Sequence, residues 1–217
     1  MQELFEIAHC NALFSGIEAN EFSSMLSCVE GTLKDYGRGE LLLQAGDPVL
    51  WVGLVIRGSV QVLRQDSDGR HSLMAQLGPG QLFGEVFACA GVQHSPVMVQ
   101  ACQACRILRL NYRKIISTCP SACPFHQKLI GNMLSLLAEK NLMLHQKLEL
   151  LSKRTTRQRL LAYFDQIRQG ASMFTLPLSR EDLAAYLCVD RSAMSAELSK
   201  MQSDGLIRYQ KNQVQLL

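Results

Sequence analysis

Arg191 and the polar side chains around it are the groups in this chain best equipped to act on another molecule. A guanidinium presents a planar fork of donors that matches O6 and N7 of a guanine. Arg191 directly follows Asp190, a strong helix N-cap type, so it stands in the first turn of a helix carrying Ala193, Met194, Leu198 and Met201. Ser192 and Ser195 fall on the same outer face. Lys200, Thr155, Thr156 and Arg180 are of the type and position that meet phosphates, which fix register without reading sequence.

Thiols are the second chemical resource. Eight cysteines are many for a reduced compartment, and a chain of 217 residues has no need of disulfide staples. Cys102-Gln-Ala-Cys105 has metal or redox spacing, and Cys119-Pro-Ser-Ala-Cys123 sits just ahead of a long helix. Cysteines that simply face inward as small hydrophobes would share these spacings, and both readings stand. Histidine chemistry is thin, with residues 9, 71, 94, 126 and 145 and no His-x-His pair. A metal-dependent cupin enzyme built on a β-roll needs closely spaced histidines and a carboxylate, so no enzyme is expected.

The elements that would position these groups follow from periodicity. Residues 1–29 read as helical, with Phe14, Ile17, Phe22, Met25, Leu26 and Val29 at helical spacing. Short strands cut by Gly and Asp-Gly turns are expected at 41–43, 51–56, 60–64, 72–77, 97–101 and 106–110, the signature of a sandwich or barrel. Asn111 can cap a short helix over 112–117. Pro124 to Ser152 is one long helix in which Ile130, Leu134, Leu137, Leu144, Leu148 and Leu151 repeat four-three, with Asn141 in the single gap. That 3.5-residue period is a coiled-coil seam, and an inner Asn that pairs with its own copy specifies two strands. A second apolar row, through Leu129, Met133, Leu136 and Leu150, would face the chain itself. A core helix of a monomer would also carry such rows.

Beyond it, Thr155 or Thr156 caps a helix ending near Gly170. Ser179-Arg-Glu-Asp182 resembles a capping box and opens a helix with Leu183, Ala184 and Leu187. Cys188-Val189-Asp190 forms the turn, and 206–209 with 214–217 make a terminal hairpin. Helix, turn, helix and hairpin are a winged helix-turn-helix, in which small Ala184 allows close crossing and Val189 plugs the corner.

Charge agrees with that reading. Residues 1–152 hold 12 Lys+Arg against 13 Asp+Glu, whereas 153–217 hold 10 against 6. A basic tail of this kind favours a nucleic-acid partner, which a module controlling only another protein would leave unexplained. No apolar run approaches the roughly 18 residues of a membrane span, and the acidic opening Met1-Gln-Glu-Leu-Phe-Glu differs from a secretory leader. The cytoplasm is the expected location.

Over nearly its whole length the chain resembles the CRP/FNR family of bacterial transcription regulators. The resemblance rests on Leu13-Phe-Ser-Gly-Ile17, Gly46-Asp47, Gly58-Ser-Val60, Gly78-Pro-Gly-Gln-Leu-Phe-Gly-Glu85 and Leu178-Ser-Arg-Glu-Asp-Leu-Ala-Ala-Tyr-Leu-Cys-Val-Asp-Arg-Ser192. It implies an α+β fold with three parts. These are an effector-sensing β-roll of the cyclic-nucleotide-binding, jelly-roll kind over 1–123, a dimerisation helix over 124–152, and a winged helix-turn-helix over 153–217. It also implies double-stranded DNA, a second copy of the chain and RNA polymerase as partners, and an effector pocket at Gly84, Glu85, His94 and Ser95. The cyclic-AMP-binding members bring an Arg-Ser pair onto the cyclic phosphate; here Ser95 matches the serine but His94 stands in the arginine's place. An imidazole is mostly neutral at pH 7 and lacks the bidentate fork, so cyclic AMP is not the expected effector. The pocket would hold another acid or nothing, or His94 is an exposed loop residue. Many members carry a Glu and, four residues on, an Arg in the recognition helix, where this chain has Ser192 and Ala196; Arg191 remains as the main reader. With only Cys10 among the first 27 residues, an iron–sulfur cluster of the family's N-terminal type is not expected.

Overall fold

The computed structural model describes residues 1–66, 68–117, 123–168 and 170–217. They form two compact units, Met1–Ala138 and Glu139–Leu217. The first opens with helices α1 (Gln2–His9) and α2 (Ala19–Cys28), separated by a 3-10 turn at Ala12–Phe14. The single helical reading of the opening is therefore split, because Asn11 accepts from the Leu13 backbone N–H and starts the 3-10 turn.

Eight strands follow: β1 (Thr32–Tyr36), β2 (Leu41–Leu43), β3 (Trp51–Arg57), β4 (Val60–Gln65), β5 (His71–Leu77), β6 (Leu82–Phe83), β7 (Met98–Ala101) and β8 (Cys105–Asn111). They make two antiparallel four-stranded sheets, ordered β1-β8-β3-β6 and β2-β7-β4-β5. Val52, Val55 and Ile107 of one sheet share a core with Leu43, Val60 and Val99 of the other. Alternation turns Val99 and Ala101 of β7 inward, whereas β3 is buried without alternation from Val52 to Ile56. Between β3 and β4, Gly58 has φ +81°, and a Cβ there would lie 2.4 Å from the Ala104 carbonyl oxygen, so only glycine makes that corner. A short helix α3 (Glu85–Cys89) interrupts the strands, and α4 (Tyr112–Ile116) follows them, its N-cap Asn111 accepting from the Arg113 N–H.

Helix α5 spans Pro124–Ser152, the span expected from its period. Its first half belongs to the core of the first unit through Phe125, Leu129, Met133 and Leu136. Asn132 donates to the carbonyls of Leu13 and Ser15 (3.0 and 2.8 Å), and Lys128 pairs with Glu21 at 3.0 Å, which fastens the helix start to the N-terminal segment. Its last turn supplies Leu150 to the core of the second unit.

That unit contains α6 (Thr156–Arg168), β9 (Met173–Thr175), α7 (Arg180–Tyr186), α8 (Arg191–Ser203), β10 (Ile207–Gln210) and β11 (Gln213–Leu216). Leu160, Phe164, Leu183, Leu187, Met194, Leu198, Met201 and Ile207 are fully buried there. The hairpin gains a third antiparallel strand, β9, in the order β10-β11-β9. Among the described residues no helix is long and apolar enough to cross a membrane.

Candidate nucleic-acid interface and effector pocket

The turn between α7 and α8 is built tightly. Val189 donates its backbone N–H to the Ala184 carbonyl at 3.0 Å, buried Ala184 lets the helices approach, and Cys188 takes a left-handed φ of 51°. Asp190 caps α8 by accepting from the N–H groups of Ser192 (2.8 Å) and Ala193 (2.9 Å) and from the Ser192 hydroxyl. The Ser192 hydroxyl and then the Ala193 N–H hold the Asp190 carboxyl below the ordinary 3.8 of an aspartate. Met194, Leu198 and Met201 face the core, so the opposite face of α8 is turned to solvent.

That outer face carries the expected residues. Arg191, Ser192 and Lys200 are exposed and Ser195 is half-buried. Arg191 has no hydrogen bond or ion pair among the described residues and stands free at the helix start. Thr155 caps α6, its hydroxyl accepting from the Gln158 N–H at 3.2 Å, and Thr156 is the first residue of that helix. Arg180 is committed to the wing: its guanidinium lies 4.8 Å from the Tyr209 ring centre and donates to the Lys211 carbonyl at 3.4 Å.

Three basic residues that sequence reasoning passed over hold this arrangement. Arg157 bridges α6 to α8, reaching Glu197 at 2.5 Å and Asp204 at 2.7 Å. Arg159 donates to the carbonyls of Leu151, Lys153, Leu187 and Cys188, which ties the helix-turn-helix corner to the end of α5. Lys147 donates to the Tyr186 carbonyl and sits 3.3 Å from the centre of that ring, closing the C-terminal end of α7. Burial pushes the Lys147 ammonium below its usual range. Their signal in the sequence was only charge, since most of these contacts join residues far apart in the chain.

In the first unit, Gly84 (φ +85°) is the N-cap of α3, and a Cβ there would meet the Trp51 carbonyl at 3.3 Å. Glu85, the first residue of α3, is only 2 % exposed. Trp51 packs edge-on against Phe83 at 5.8 Å, with the Arg109 guanidinium 4.1 Å from its ring centre. The His94–Ser95 loop is pinned to the Gly46–Asp47 turn by two backbone hydrogen bonds of 2.8 Å and by His94 Nδ1, which donates to the Gly46 carbonyl at 2.9 Å. Ser95 is 3 % exposed, and its hydroxyl donates to the Val97 carbonyl at 2.7 Å and accepts from the Val97 N–H at 3.3 Å. Both functions of that hydroxyl are thus used within the loop.

The seam residues of α5 fall largely on one open face. Leu134, Leu144 and Leu148 are 64, 63 and 65 % exposed, Asn141 is exposed, and Ile130, Leu137 and Leu151 are half-buried. Of the singled-out cysteines, Cys105 is buried and Cys102 half-buried beside the β7–β8 turn. Burial raises the Cys105 thiol above its ordinary value, the opposite of what a reactive thiolate requires. Cys123 is half-buried ahead of α5, and Cys119 lies outside the described residues.

Residues 33–121 match the cyclic nucleotide-binding domain family, and residues 158–217 match the Crp-like helix-turn-helix domain family. The chain is similar to the cyclic AMP receptor protein of Thermus thermophilus, 28 % identical over 199 residues that cover 90 % of this chain and 88 % of that protein. It is 25 % identical to the transcriptional regulatory protein btr of Bordetella pertussis over 98 % of this chain and 90 % of btr. The crystal structure of the Thermus thermophilus catabolite activator protein matches with a TM-score of 0.56 at 25 % identity, covering 95 % of this chain and 94 % of that one. A β-roll of the cyclic-nucleotide-binding kind, a long helix and a winged helix-turn-helix in this order define a signal-responsive regulator of transcription. The chain belongs to the CRP/FNR family of such regulators.

Proposed function

We propose that two copies of this protein pair along α5 and bind a two-fold-symmetric stretch of double-stranded DNA through their α8 helices. The observation that carries this reading is the outer face of α8. Its first turn is capped by Asp190 and presents an uncommitted Arg191 in a basic unit, while Arg157 braces the middle and end of the helix at Glu197 and Asp204. A helix so placed fits the major groove with its N-terminal side chains at base edges. Ser192 and Ser195 add short polar contacts, while Lys200, Thr155 and Thr156 meet phosphates. The boundaries 1–123, 124–152 and 153–217 then correspond to sensing, pairing and DNA reading, in the cytoplasm and with RNA polymerase as the protein partner. Cyclic AMP, for which the Thermus relative is named, is not the effector: His94 replaces the arginine of that pair, and the Ser95 hydroxyl is spent on Val97.

Retention of the purified protein on immobilised duplex DNA tests the proposal. Neutralising several phosphates releases condensed counterions, so the logarithm of affinity should fall linearly with the logarithm of salt, by about 0.9 per phosphate contacted. Absence of salt-sensitive retention would overturn it.

A further inference from the structure

We propose that Cys28, Cys123 and His126 form a binding site for one thiophilic metal ion, with Zn(II) the ion that the donor set fits best. One ligand atom from each of the three lies within 4.8 Å of the other two. Around a tetrahedral zinc ion with metal–ligand distances of about 2.0–2.3 Å, the donors sit roughly 3.5–3.8 Å apart. The three groups would therefore close on an ion by about an ångström. Two thiolates and an imidazole are the soft and borderline donors that select zinc over calcium or magnesium. The two negative sulfurs cancel the charge of the ion, which suits a half-buried place.

A second observation points the same way. His126 is 3 % exposed, and its Nδ1 is buried with no hydrogen-bond partner among the described residues. Buried imidazole nitrogens are ordinarily satisfied by a donor, an acceptor or an ion, and a zinc-bound ring commonly uses its other nitrogen to fix its orientation. The backbone already holds the donors together. His126 donates its N–H to the Cys123 carbonyl at 3.1 Å, which places the two residues one turn apart at the root of α5. Cys28 ends α2, and the next residue, Val29, accepts the Asn111 N–H at 3.0 Å. The Lys128–Glu21 and Asn132 contacts keep the start of α5 on this same part of the first unit.

On binding, each thiol releases one proton to solvent and its sulfur donates the freed electron pair to the ion; His126 coordinates as neutral imidazole, and no oxidation occurs. Three protein donors leave one tetrahedral position for water or a small ligand. The ion would join the end of α2 to the first turn of the helix on which pairing depends. Its influence on DNA affinity rests on the regulator reading; its binding does not.

The full-length protein, reduced and stripped of metal, should take up one cobalt(II) per chain with thiolate-to-metal charge transfer in the near ultraviolet, and zinc(II) should displace it. Cys28→Ser, Cys123→Ser and His126→Gln should each weaken zinc affinity by at least about a hundredfold, more than outer supporting residues typically cost. Cys10→Ser and Cys188→Ser, which remove exposed thiols, should leave it unchanged. Should a variant misfold, alkylation mapped by mass spectrometry on the wild type answers instead, with zinc slowing modification of Cys28 and Cys123 but not Cys10. No charge-transfer band, full affinity in Cys123→Ser, or no protection by zinc each overturns the site. Zinc uptake that leaves DNA affinity unchanged overturns the regulatory clause alone, and absence of DNA binding with and without zinc overturns the regulator reading alone.

Discussion

In the proposed DNA complex Arg191 would carry the specificity of α8, because Ala196 offers nothing to a base and the serines are short. A bidentate contact to guanine discriminates by roughly 1–3 kcal/mol. Arg191→Ala should flatten the sequence preference while salt-dependent, non-specific binding persists. Selection from random duplexes checks this, and recovery of an unchanged motif would assign the reading to another residue. Asp190 is the neighbour whose protonation matters. Its folded carboxyl lies below the ordinary 3.8, so its capping contribution is fully present above the unfolded value and is lost as pH falls through the folded one. The melting midpoint of the second unit should therefore fall more steeply on acidification below about pH 4 in the wild type than in Asp190→Asn, which caps but does not titrate. Circular dichroism melts from pH 3 to 6 compare the two.

At the scale of the element, α5 has two faces with different consequences. Leu129 is fully buried in the first unit, and Leu129→Ala should cost about 2–5 kcal/mol in chemical denaturation. Leu144 and Leu148 stand in water in the single chain, so Leu144→Glu with Leu148→Glu should leave each unit's core intact. Sedimentation should nonetheless show the dimer replaced by monomer. Wild-type protein sedimenting as a monomer at micromolar concentration would remove the seam. This helix was fully legible in the sequence, because its two rows repeat over many turns. The strands β3, β4, β7 and β8 were legible as short apolar runs stopped by Gly and Asp-Gly turns. β1 was not, since Thr-Leu-Lys-Asp-Tyr is a polar edge with only Tyr36 buried. β6 has two residues and α3 five, too few for any period to register. The metal trio was hidden differently: Cys123 and His126 are neighbours on one helical turn, but Cys28 is brought to them only by the fold.

At the scale of the whole molecule the effector itself can be tested. If cyclic AMP is not the effector, calorimetry should show no micromolar binding, and its addition should leave DNA affinity unchanged. A charge-assisted bidentate contact is worth on the order of 1.5–3 kcal/mol, so replacing the arginine by His94 should weaken the nucleotide by roughly tenfold to a hundredfold. Micromolar binding would restore the nucleotide as a candidate signal.

Trp51 gives the molecule a property of another kind. It is the single tryptophan of the chain, and it lies under Arg109, against Phe83 and next to the glycine that opens α3. Its ultraviolet emission is thus a built-in optical gauge of the first unit, whereas the second unit, which holds no tryptophan, stays dark in that channel. Ligands can be screened by fluorescence on the unlabelled protein, and a change in emission can be assigned to one unit before any further structure is solved.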